Sequence, residues 1–265
     1  MTAAHRRAPP PPGPPSVEAA LDDASAVARL LDETRPQAVV HAAVLGRAEE
    51  CEARPDEAER VNTRLPGLVA EACRERGLRL VSLSTDLVFG GDRPFVSERD
   101  AAEPLSLYGR TKRAGEEAVL RACPDAAVAR VALVLGRGHG PRATSSEQVL
   151  RALRAQRPMT LYDDEYRTPV DPESVADAVA RLLAGDGSGV YHLGGPERIS
   201  RHELGRRVAR AFGLPDAGLV AGSQADHAGP DRRAADVSLD SGRARRELGW
   251  EPRPLDAAIR ESREG

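Results

Sequence analysis

Three observations predict an α/β protein with a doubly wound parallel sheet. Short apolar runs at residues 38–42 and 78–83 read as strands, the second continuous enough to be buried on both faces. Between them lies a segment whose apolar residues, Leu65, Leu68, Val69 and Ala72, recur at helical spacing. The β-α-β-α order that follows is what a parallel sheet wrapped by helices requires.

The elements are expected in this order. Residues 1–16 hold six prolines between Pro9 and Pro15, which excludes helix or central strand there and favours an extended, disordered arm. An incomplete core over 17–145 begins with a helix at 24–33 and the strand at 38–42. A long helix at 55–76 is stopped by Gly77, and the strand at 78–83 follows. A helix at 108–122 and a strand at 127–135 close the core. A mixed segment over 146–265 follows, with helices at 146–155 and 172–183 and a short strand at 189–193. Ser200 and Glu203 form a capping box for a helix at 200–212, and residues 214–236 read as a surface loop.

Composition excludes several classes. The net charge of −3 provides no basic footprint for nucleic acid. No stretch approaches the roughly 20 apolar residues of a membrane span, and no apolar region follows the basic N-terminal residues as in a secretory signal. Cys51, Cys73 and Cys123 lack metal-ligand spacing and read as reduced thiols of a cytoplasmic protein. The contiguous acids Asp163, Asp164 and Glu165 are a poor metal cluster, because neighbours in sequence rarely converge on one ion. No metal is expected.

Tyr108 and Lys112 stand four apart on a predicted helix and so share one face. Ser84-Thr85-Asp86 closes the apolar run at 78–83. Together they outline a proton-transfer site. A hydroxyl holds a carbonyl, a phenol gives the proton, and an ammonium favours the phenolate that remains.

These residues, with Val39-Val40-His41-Ala42-Ala43, Val61-Asn62, Glu98-x-Asp100, Gly115-Glu116, Arg167-Thr168-Pro169-Val170 and residues 189–195, resemble the extended short-chain dehydrogenase/reductases. The similar branch is that of the dTDP-4-dehydrorhamnose reductases and their sugar-nucleotide-binding relatives, from about Leu21 to Trp250. The resemblance implies a Rossmann-like fold in which the segment over 146–265 completes the sheet and forms a small C-terminal substrate lobe. It also implies NAD(P)H-dependent reduction of a keto group on a nucleotide-activated deoxysugar, with NADP(H) or NAD(H) as cofactor. A cytoplasmic protein is implied, with a nucleotide-sugar substrate and room for a homodimer. The alternative is a non-catalytic nucleotide- or sugar-binding subunit, like the regulatory subunit of methionine adenosyltransferase, which resembles the same branch.

By the same resemblance Thr85, Tyr108 and Lys112 are catalytic. Arg6, Arg7, Asp22, Ala42, Ala43 and Lys112 border the cofactor, the two arginines where a 2′-phosphate would lie. Thr85, Asp86, Leu87 and Arg167 face the substrate, Arg167 as a partner for a diphosphate or in an ion pair with Asp164 or Glu165. Leu87 stands where the branch commonly has Tyr, which removes an aromatic face from the sugar pocket. Ser84 is expected to make a strand-end backbone bond, Asp86 to serve a turn or cap, and His192 to pack in the core. Asn62 either lines the sheet edge or sits on a helix surface.

The family's Gly-x-x-Gly-x-x-Gly turn is not found: the first glycine, Gly13, lies in the proline run. The expectation is a chain without the first strand, turn and helix, through an internal start or a real loss. Exposed strand edges and weak cofactor affinity should follow.

Overall fold

A computed structural model describes residues 3–5, 16–21, 23–136, 143–226 and 233–260. Its strands are β1 (Ala3–His5), β2 (Ser16–Glu18), β3 (Ala38–His41), β4 (Arg79–Thr85), β5 (Ala127–Val131), β6 (Met159–Tyr162), β7 (Tyr166–Arg167), β8 (Gly189–Leu193), β9 (Ile199–Ser200) and β10 (Leu219–Gly222). The helices are α1 (Ala24–Thr34), α2 (Ala48–Ala53), α3 (Pro55–Glu59), α4 (Leu65–Glu75), α5 (Leu107–Ala122), α6 (Ser145–Arg154), α7 (Pro172–Ala184), α8 (Arg201–Ala211), α9 (Gly242–Leu248) and α10 (Leu255–Arg260). A four-stranded sheet has the order β3-β4-β5-β8, with β3 parallel to β4 and His41 opposite Ser82. The predicted α/β class is therefore observed.

The chain forms two compact units whose boundaries interleave. One holds the described residues up to Ser84, Leu107–Ala129 and Arg181–Val190; the other holds Thr85–Ser106, the described residues of 130–180, and those from Tyr191 onward. The division is not the consecutive one expected at residue 145. Chain leaving the end of β4 is grouped with later segments, because spatial proximity and not sequence order defines a unit.

In the first unit, α1, α4 and α5 bury Val27, Leu31, Leu65, Val69, Cys73 and Val119 together with Leu80 and Val128 of the sheet. Asp23 caps α1 by accepting from the amide of Ala26, and Arg35 ends it in the left-handed region. Arg79 stitches the start of β4 to Leu182 O at 2.9–3.0 Å and to the carbonyl of Gly187. Burial pushes the Cys73 thiol up to about 12, as suits a packing residue.

The second unit packs α6, α8 and α10 around Leu135, Leu150, Leu161, Leu204, Leu219 and Ile259. Ser200 caps α8 as predicted, accepting from Glu203 N at 3.1 Å. Trp250, fully buried, donates from its indole nitrogen to Ser174 O at 2.8 Å.

Three expectations differ from the structure. Ala3–His5 and Ser16–Glu18 pair as short parallel strands at the two ends of the proline-rich arm, the intervening residues lying outside those described. Leu219–Gly222, within the stretch read as a loop, is a strand parallel to β6. Its Val220 is exposed and only Leu219 is buried, so the period-two signal was too weak to read. The long helix at 55–76 is interrupted by a π-helical turn, Arg60–Arg64.

Among the described residues, the edge of β3 away from β4 pairs with no strand, and Val40 on β3 is 43% exposed. An exposed apolar strand edge templates self-association. Val40→Lys should therefore reduce self-association, read by sedimentation velocity, while changing stability by no more than about 0.5 kcal/mol.

Candidate active site

The site begins at Pro66. Proline has no N–H, so it cannot bond the carbonyl of Asn62 four residues back. The ladder adjusts by a π turn, in which Leu65 N reaches Arg60 O. This turns Asn62 inward, where only 1% of it is exposed. Its amide donates to Leu45 O at 3.1 Å and Thr111 Oγ1 at 3.2 Å, while its carbonyl oxygen accepts from Leu45 N at 2.9 Å. Asn62 thus ties the loop after β3 to α5. Both expected accounts of Asn62 understate it, although a proline inside a helical pattern was a legible signal.

Gly115 lets α5 approach this turn. A Cβ there would collide with the carbonyl oxygen of Asn62 and crowd Pro66 at 3.2 Å. At that separation Lys112, 6% exposed, donates from Nζ to Leu83 O at 2.8 Å. Burial lowers Lys112 from its ordinary 10.5 to about 8, with the Glu116 carboxylate opposing the shift. Lys112 is also the only lysine among 38 Lys and Arg residues. Arginine never gives up its proton in proteins, so this is the one position where a long-chain cation can titrate.

Tyr108, one turn earlier, is half-buried against the cluster of Leu45, Cys51 and Ala58. His41 ends β3 and is buried, and its Nε2 has no hydrogen-bond partner among the described residues. Burial, then the Lys112 cation, lowers His41 to about 4 and keeps it neutral. Ala42 and Ala43 follow it, both exposed. Ser84 corrects its expected role: the hydroxyl donates to Glu116 Oε1 at 2.6 Å and not to backbone.

Thr85, the last residue of β4, opens the second unit. Its hydroxyl accepts from Leu87 N at 3.2 Å and donates to Asp86 Oδ1 at 3.1 Å. Thr85 therefore caps the 3-10 turn Asp86–Val88, the duty expected of Asp86. Burial raises Asp86 above the usual carboxylate range, against the opposing Arg167 cation and the Thr85 bond. Leu87 packs on the cluster of Val88, Phe89 and Val237.

Arg167 is held by internal partners. It donates to Tyr166 O at 2.8 Å and Ala234 O at 3.3 Å, and pairs with Glu165 at 3.1 Å and Asp86 at 3.7 Å. The expected ion pair with Glu165 is present. Glu165, 2% exposed, also pairs with Arg233 at 2.7 Å and Arg201 at 3.9 Å. Sequence reasoning missed this hub, because its arginines come from three separate segments. His192 is buried as expected, against Val96 O at 3.0 Å and Arg130 at 3.3 Å. Arg6, Arg7 and Asp22 lie outside the described residues. Among the described residues no cluster of His, Cys, Asp and Glu could hold a metal, and no helix is long and apolar enough to cross a membrane.

The chain belongs to the RmlD substrate binding domain family, whose model matches residues 2–264. It is 32% identical to the probable low-salt glycan biosynthesis reductase Agl14 of Haloferax volcanii, over 86% of this chain and 77% of that protein. It is 33% identical to a dTDP-4-dehydrorhamnose reductase of Streptomyces griseus, over 91% and 81%. With methionine adenosyltransferase 2 subunit beta of Rattus norvegicus it shares 31% identity over 75% of this chain, spanning 61% of that protein's length. The crystal structure of a dTDP-4-dehydrorhamnose reductase from Bacillus anthracis, in complex with NADP, has the same fold, with a TM-score of 0.83 at 21% identity over 91% and 83%. MoeE5, in complex with UDP-glucose and NAD, superposes with a TM-score of 0.82 at 25% identity over 98% and 88%.

Two outcomes are expected. Gly115→Ala should cost about 1–3 kcal/mol by forcing α5 off the π turn, measured by urea unfolding. Glu165→Gln removes the carboxylate that three arginines share and should cost about 3–5 kcal/mol in the same measurement.

Proposed function

We propose that this protein is an NAD(P)H-dependent reductase of a keto group on a nucleotide-activated deoxysugar. One observation carries the reading. The single lysine of an arginine-rich chain is buried one turn after Tyr108, its ammonium hydrogen-bonded to the strand that ends in Thr85. Burying an ammonium costs several kcal/mol unless it is compensated, and a purely structural site would be served as well by an apolar residue. Relatives above 30% identity that carry reductase names support the same chemistry.

The residues fit the nicotinamide-ribose half of the cofactor. Lys112 has three N–H donors, of which Leu83 O takes one, and donors remain for ribose hydroxyls. Ala42 and Ala43 at the end of β3 present small side chains there. A bound reduced nicotinamide supplies the hydride.

The chain's own residues handle the proton. Tyr108 donates its phenolic proton to the oxygen of the reduced carbonyl, and the Lys112 ammonium favours the phenolate left behind. Thr85 turns its hydroxyl from Asp86 to that oxygen and orients it. Asp86 and Arg167 hold the Thr85 turn in place, and Leu87 offers an aliphatic wall to the sugar. The reading places the enzyme in the cytoplasm, with a homodimer as its assembly.

A second reading, a non-catalytic regulatory subunit, is favoured by the relatives named methionine adenosyltransferase 2 subunit beta. Titrating NADPH and NADH into the 265-residue chain and assaying a 4-keto sugar nucleotide separates the two. Tyr108→Phe should retain cofactor binding and lose at least about 10²-fold in turnover. Absence of both binding and turnover at millimolar cofactor would sink the reductase reading and leave the regulatory one.

A further inference from the structure

Lys112 is buried where little compensates its charge. From β4 it meets one carbonyl oxygen, Leu83 O, and the neighbouring titratable group from β3 is the neutral His41. Among the described residues the carboxylate acting on it is Glu116, one helical turn further along the same face of α5. Glu116 is itself 3% exposed, a burial that acidic residues rarely show without a partner. Ser84 Oγ donates to it at 2.6 Å, and Arg113 approaches it at 3.5 Å while pairing with Glu117 at 3.0 Å. Ser84 follows Leu83 directly, so adjacent residues of β4 hold the ammonium and the carboxylate, the first by its carbonyl and the second by its hydroxyl.

We propose that Glu116, oriented by the Ser84 hydroxyl, is a positioning residue that holds Lys112 in its ammonium form at the pH where the reductase works. It rests on the reading of Lys112 as the partner of Tyr108, and it extends that site by two residues. The physical argument is that of any buried pair. Desolvation drives the amine towards its neutral form, and an anion one turn away drives it back. A neutral Lys112 would no longer favour the Tyr108 phenolate. The Ser84 bond fixes which way the carboxylate points, so its charge acts on Lys112 and is not spent wholly on Arg113 at the helix surface. Burial lowers Lys112 to about 8 against the opposing Glu116 carboxylate, and because that lies above neutrality the amine is mostly charged there.

Because Lys112 is the only lysine, its titration can be read without assignment. The full chain labelled with [ε-¹³C]lysine should show one side-chain resonance, whose pH midpoint reports this amine. Glu116→Gln should lower that midpoint by about one pH unit. Glu116→Asp should restore part of the loss. Ser84→Ala, which removes only a hydroxyl, should move the midpoint the same way by less, and it decides the matter if Glu116→Gln does not fold. An unchanged midpoint in the folded variants overturns the proposal.

The alkaline limb of the rate profile should follow the same shift to lower pH. A merely structural role for Glu116 would lower the rate at every pH and leave the limb in place. If the wild-type chain shows no turnover, the reductase reading fails while the resonance still decides the role of Glu116.

Discussion

The distance between α5 and the π-helical turn is the constraint on which the candidate site depends. It is set by a residue without a side chain, Gly115, against a carbonyl freed by a residue without an N–H, Pro66. Only at that distance does a four-carbon side chain from α5 reach Leu83 O while Thr111 reaches the Asn62 amide. A pair of backbone peculiarities thus determines where a charge is buried. The charge in turn determines which neighbours can be tolerated: a neutral imidazole on β3, a hydroxyl on β4 and a carboxylate one turn along α5.

The second unit solves a different electrostatic problem. Glu165 sits among three arginines and accepts its closest hydrogen bonds from Arg233, at 2.7 and 2.8 Å. The unit buries ionised groups at high desolvation cost, and the multiplicity of partners offsets it. Burial also lowers Arg201 below the ordinary guanidinium range, with Glu165 opposing. Segments far apart in sequence are thereby fastened around the Thr85 turn through Arg167 and Asp86.

Much of the fold was legible because it rests on local periodicity. The bounds of α1, α7, α8 and β8 fall within a residue or two of those expected, since each has an unambiguous apolar face or cap. What escaped was set by pairing or by exception. Strand β10 has an exposed Val220 and acquires its identity only from its partner β6. The π turn was hidden inside a helix whose apolar spacing continues on both sides of it. Ser84 and Thr85 exchanged expected duties with backbone and Asp86, because side-chain partners depend on what packs above a strand end.

By itself, the sequence determined the α/β class, the strand that leads into Ser84-Thr85-Asp86 and the placement of Tyr108 and Lys112 on one helical face. Those follow from spacing along the chain, which is local and survives without any tertiary contact. Tertiary structure alone decided that Lys112 is buried, that Glu116 and Ser84 stand behind it, that Asn62 clamps the loop after β3, and that Arg167 is committed to Glu165. Some of these join residues from separate segments and others are near neighbours, but the desolvation that makes them consequential exists only once the chain has closed around them.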